Sequence, residues 1–116
     1  MQNSEESENP LGCPVVSTLN LIGGKWKPMV IHILSRDDQR FGQLKRSLKP
    51  ISQKVLTEQL RELERNGIVQ RDVISGKVLN VTYFLTSHGR SLVPVLEALY
   101  TWGEKNSPHA NRTEQV

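Results

Sequence analysis

The spacing of apolar residues changes period at Gly67, and that change restricts the chain to few architectures. Before it, in ISQKVLTEQLRELERNG (Ile51 to Gly67), Leu56, Leu60 and Leu63 recur at i, i+4 and i+7, one apolar stripe on a helix. The opposite face carries Lys54, Glu58, Arg61 and Arg65, and the first turn is small and polar with Ser52, Gln53 and Thr57. Ser52 suits the N-cap, where its hydroxyl accepts from an orphan backbone N–H. Gly67 stands where a left-handed residue closes a helix, with Ile68 able to touch Leu63. Beyond it Leu79, Val81, Tyr83 and Leu85 alternate with other residues, which is strand spacing, and Val69 to Ile74 forms a weaker strand. Ser75-Gly76-Lys77 supplies a turn between them, so the two strands make a ribbon with a basic tip.

The rest of the chain reads as helix. A short one runs from Cys13 through Val16, Leu19 and Ile22 to Gly23-Gly24. The next places Trp26, Val30, Ile33 and Leu34 on one face, with Pro28 tolerated in its first turn. Asp37-Asp38 is a loop, and Arg40-Phe41 leads into a third helix with Leu44 and Leu48 four apart, closed by Pro50. After the ribbon Thr86 caps a last helix striped by Leu92, Val95, Leu96, Leu99 and Trp102. Residues 1–12 are polar and acidic and read as a disordered tail, 13–105 as one domain, and 106–116 as a polar tail. Four helices, a two-stranded ribbon and a closing helix give a mainly α fold with a small β-hairpin wing (α+β), the layout of a winged helix-turn-helix. Its paired helices are Gly42 to Leu48 and Ser52 to Asn66.

Composition excludes several classes. A chain of 116 residues supports one modest core. No apolar run approaches the roughly 18 residues of a membrane span, and MQNSEESENP lacks the basic start and apolar core of a signal peptide. One cysteine cannot form an internal disulfide. A cytoplasmic protein without membrane association is expected. The net charge is only +3, but Lys25 to Lys77 holds 12 Lys/Arg against 6 Asp/Glu, leaving 3 against 6 elsewhere. A positive centre between negative ends suits a polyanionic partner.

The second helix of such a pair lies in the major groove and presents its N-terminal residues to base edges. Ser52, Gln53, Lys54 and Thr57 occupy that end, with Arg61 one turn on. Gln pairs bidentately with adenine, Lys donates to guanine, and Thr serves either base or touches a thymine methyl. Lys45 and Arg46 on the first helix and Lys77 at the ribbon tip complete the candidate contacts to double-stranded DNA. The competing reading makes all of these capping and solvent residues.

Four segments carry a family resemblance: CPVVSTLNLIGGKWKPMVIHIL, RFGQLKRSL, ISQKVLTEQLRELERNGIVQR and VTYFLTSHGRSLVPVLEALYTWGE. Together they resemble the HxlR-type winged helix-turn-helix transcription regulators of bacteria, from Cys13 to Glu104. Two places depart from that pattern: Lys49-Pro50 replaces a common Pro-Gly, and Lys77-Val78-Leu79-Asn80 replaces a Pro-Pro and basic residue. The resemblance implies a homodimer built from the first and last helices, through Val16, Leu19, Leu92, Val95, Leu96, Leu99 and Trp102. The last stripe is also long for the core of so small a chain, which favours a second copy as its cover. Cys13 has two readings. It is a small packing residue at a helix start, or a thiol sensor activated by the helix N-terminus, as the resemblance implies for some members.

Other chemistry finds little support. Gly23-Gly24-Lys25 lacks the glycine spacing and the Ser/Thr of a phosphate loop. His32, His88 and His109 have no Cys or carboxylate at ligand spacing, so neither metal nor cofactor is expected. A single-cysteine enzyme and a DNA-free protein-interaction module stand as alternative functions. No motif specifies a small-molecule or oxidant effector.

Overall fold

The computed structural model describes residues 9–73 and 81–107. The elements run α1 (Pro14–Ile22), α2 (Trp26–Arg36), β1 (Gln39–Arg40), α3 (Phe41–Ser47), α4 (Gln53–Arg65), β2 (Val69–Val73), β3 (Val81–Leu85), α5 (Ser87–Arg90) and α6 (Val93–Asn106). The three strands pair antiparallel in the order β1-β3-β2. Val69 faces Leu85 and Val73 faces Val81 along the ribbon, while Gln39 and Arg40 pair with Tyr83 and Thr82 on its other side. Winged helix-turn-helix is therefore the observed class.

One core lies between α2, α3, α4 and the sheet. Leu34, Leu44, Leu56, Leu63 and Ile68 are fully enclosed in it, and Leu60 nearly so. The leucine stripe of α4 thus points inward along its whole length.

Both ends of α4 are closed by the residues that mark them in the chain. The Ser52 hydroxyl accepts from the Val55 N–H at 3.1 Å. At the other end the Ile68 N–H donates to the Leu63 carbonyl at 2.9 Å and the Gly67 N–H to Glu64 at 3.0 Å. That paired closure requires a left-handed residue, and Gly67 supplies it with φ of 73°.

Four features differ from the sequence reading. The sheet has a third strand, β1, only two residues long; so short a segment has no periodicity to read. The last helix is two: α5 spans Ser87–Arg90, and a turn at Ser91-Leu92 precedes α6. Leu92 sits at that turn and is buried in the protomer's own core, whereas the stripe read along one straight helix carried it outward. Finally, Asn9, in the stretch read as a tail, is hydrogen-bonded to Cys13 at the N-cap of α1. The predicted turn Ser75-Gly76-Lys77 and the ends of its two strands, Ile74 and Leu79, lie outside the described residues, as do residues 1–8 and 108–116.

The ribbon, α4 and α5 meet at a tight junction. The Thr86 hydroxyl caps α5 by accepting from the Gly89 N–H at 2.9 Å and donates to the Gly67 carbonyl at 2.5 Å. The Thr86 N–H donates to the Ile68 carbonyl at 3.1 Å. Gly89 packs so closely there that a Cβ would stand 2.2 Å from the Ile68 carbonyl oxygen.

Candidate nucleic-acid interface

The N-terminal half of α4 projects from the body of the protein. Ser52, Gln53, Lys54 and Arg61 are exposed and Thr57 is half-buried. They share a helix whose other face is anchored by Leu56, Leu60 and Leu63, so their direction is fixed by burial. Ser52 already accepts a hydrogen bond as N-cap, which leaves its hydroxyl proton free to donate outward. No acidic residue lies in the first turn of α4. On α3, Lys45 is half-buried and Arg46 exposed, both in the last turn. Lys77 belongs to the undescribed tip. Exposed cations also occur on β1 and β2, with Arg40 and Arg71, and elsewhere, with Lys25, Arg36, Arg90 and Lys105.

Arg40 escaped the sequence reading because its pairing with Thr82 shows only in the sheet. Arg71 escaped it because its partner lies on another element. Arg71 Nε stands 3.1 Å from Glu64 Oε2. Arg71 also stands directly across the ribbon from Tyr83. Burial pushes the Tyr83 phenol above its ordinary value and the Glu64 charge adds to this, while Arg71 and Arg61 pull the other way. On the opposite flank of α4, Glu62 pairs with Lys27 of α2.

The expected partner surface divides. Leu19 on α1 and Val95, Leu99 and Trp102 on α6 are 50%, 44%, 53% and 67% exposed. Val16 is half-buried, and Leu96 is half-buried against the core. No residue of α6 is fully buried. Val15 and Tyr100 add further exposed apolar area that helical spacing had not singled out. A groove of about 660 Å³ opens between α1, α2 and α6, lined by Leu19, Met29, Ile33, Leu99 and Tyr100, and its one aromatic contact is His32 stacked on Tyr100 at 6.1 Å.

Cys13 is the N-cap residue of α1 and half-buried, a free thiol. Asn9 holds its backbone: Oδ1 accepts from the Cys13 N–H at 2.8 Å and Nδ2 donates to the Cys13 carbonyl at 3.2 Å. Among the described residues no group of three or more His, Cys, Asp or Glu could hold a metal ion, and no helix is long and apolar enough to cross a membrane.

A helix pair with an exposed polar N-terminus on its second helix, flanked by a β-ribbon, defines a winged helix-turn-helix protein. Residues 21–111 match the model of the family described as HxlR-like helix-turn-helix. The chain belongs to this family, the HxlR-type transcription regulators. It is 42% identical to the HTH-type transcriptional regulator YdeP of Bacillus subtilis over 103 residues, covering 89% of this chain and 80% of that one. Among solved structures it is similar to the redox regulator HypR in its reduced form, with 40% identity and a TM-score of 0.80, over 86% of this chain and 99% of that one. It is also similar to the reduced form of the transcriptional regulator YodB from B. subtilis, with 35% identity and a TM-score of 0.73, over 83% of this chain and 95% of that one.

Proposed function

We propose that this chain is a cytoplasmic regulator that binds double-stranded DNA sequence-specifically as a homodimer, with the start of α4 in the major groove. The observation that carries the reading is the division of α4 into a buried leucine face and an outward face led by Ser52, Gln53, Lys54 and Thr57. Lys45, Arg46 and Lys77 serve as phosphate contacts beside it. The family match and the basic centre of the chain support the same reading. Selection of bound duplexes from a random pool tests it. One preferred sequence should emerge, and Lys54→Ala and Thr57→Ala should relax its base preference, each good contact being worth about 1–3 kcal/mol. Affinity should fall by roughly 10³–10⁵ between about 50 and 200 mM salt for a dimer making about 6–10 phosphate contacts. Unchanged ranking of sites in both variants would remove the recognition role from α4.

Cys13 supports a second layer, thiol sensing. Its place at the start of α1, on the helix that carries the exposed Leu19, puts oxidation next to the proposed subunit contact. HypR, similar to this chain, has been solved in reduced and oxidised forms. With one cysteine per chain, two Cys13 thiols from different subunits would join, losing two protons and two electrons to a disulfide-forming oxidant such as diamide. Treatment with diamide should give a covalent dimer on a non-reducing gel and change duplex affinity; Cys13→Ser should abolish both effects. Catalysis has no part in this reading.

A further inference from the structure

Two ion pairs join α4 to its neighbours on opposite sides, one buried against α2 and one more exposed on the ribbon. Glu62 and Glu64 are two residues apart, about 200° around a helix axis. They therefore flank the leucine stripe on either side. Glu62 pairs with Lys27 from α2, and Glu64 with Arg71 from β2. Lys27 is only 8% exposed and is the one buried charged residue among those described.

We propose that Lys27 and Arg71 are positioning residues that set the roll of α4 on the core, and through it which base edges the N-terminal residues meet. The inference rests on the DNA-binding reading above. A stripe of leucines in a hydrophobic groove tolerates small rotations, because packing given up on one side is regained on the other. A buried ammonium does not tolerate them: separated from its carboxylate it stays desolvated and unpaired. Lys27 thus resists rotation in one sense. Arg71 resists it in the other, since its guanidinium is held at 3.1 Å by Glu64 and its backbone is fixed in the ribbon opposite the buried Tyr83. The consequence at the DNA is large. Side-chain tips lie about 5–6 Å from a helix axis, so a roll of about 20° moves them by roughly 2 Å, beyond the range of a hydrogen bond.

Glu62→Gln, Glu64→Gln, Arg71→Lys and Arg71→Met test this in the full-length chain. The wild-type protein first defines its preferred duplex by selection from a random pool. Each variant is then measured on that duplex and on single-base-pair variants of it, alongside its melting temperature and its salt dependence. Removing a negative charge should raise affinity for all duplexes alike, so the informative quantity is the ratio between duplexes. We expect Glu62→Gln and Glu64→Gln to lower that ratio by about fivefold or more, part of one bidentate contact, with an unchanged salt slope. Arg71→Lys should keep most of it. A wild-type ratio in both Gln variants overturns the proposal, whatever happens to melting. So does Arg71→Met with intact ranking and a salt slope reduced by about one, since Arg71 would then be a phosphate contact. If the wild-type chain enriches no sequence, the DNA-binding reading fails and the positioning role fails with it.

Discussion

Leu60 and Tyr83 show how single side chains carry the arrangement. Leu60 is 1% exposed on the inner face of α4. Leu60→Ala should cost roughly 2–5 kcal/mol through lost burial and the cavity left behind, measured by denaturant unfolding. It should leave base preference intact at temperatures where the variant is folded. Tyr83 is the tyrosine whose phenol burial raises above the ordinary value of 10.0. The fold therefore holds this proton more tightly than the unfolded chain does. That stabilisation is complete below pH 10 and is lost as pH rises toward the folded value. Melting temperature followed from about pH 8 to 11 should fall on the alkaline side, and Tyr83→Phe should flatten that decline. At this scale the chain was readable where chemistry follows position. Leu56, Leu60 and Leu63 face inward as their spacing demands, and Lys54 and Arg61 face out. Lys27 was not readable, because lysine belongs on surfaces unless a partner waits inside, and Glu62 lies 35 residues away in the chain.

Among the elements, α4 was the most legible, since its caps are local interactions between residues close in sequence. Its limits, Gln53–Arg65, lie inside the Ser52 and Asn66 boundaries that the chain suggests. Strand β1 was hidden for the opposite reason: it is created by tertiary contact. Gln39 and Arg40 become a strand only because β3 lies beside them. The helix after Thr86 is interrupted at Ser91-Leu92, where Pro94 in the first turn of α6 has no N–H to offer the Arg90 carbonyl. The junction of α5 with the end of α4 makes a sharp demand on one residue. Gly89→Ala would drive a Cβ against the Ile68 carbonyl, a backbone atom that cannot swing aside. The variant should melt well below the wild type, by more than the change at an open helical glycine, where alanine stabilises. Gly103, which has open space around its Cβ position, is the matched control.

At the scale of the molecule, α6 leaves Val95, Leu99, Tyr100 and Trp102 exposed in the protomer. Trp102→Ala combined with Leu99→Ala should shift the protein toward monomer in sedimentation at micromolar concentration. The monomer should lose most affinity for a two-half-site duplex, because the second half-site is no longer tethered. A wild-type chain that sediments as a monomer would rule out the homodimer. Where the subunits sit also bears on which duplexes they fit, since paired recognition helices must reach grooves roughly 34–36 Å apart. The turn at Ser91-Leu92 becomes a matter of leverage here. Leu92 is rooted in the core, whereas the 14 residues of α6 beyond it form an arm about 21 Å long with no buried residue. A tilt of about 10° at the root swings the far end through about 4 Å over that length. In the proposed homodimer, two such arms joined across a two-fold axis would turn a small change of angle at Leu92 into a change in the distance between half-sites that the pair can span.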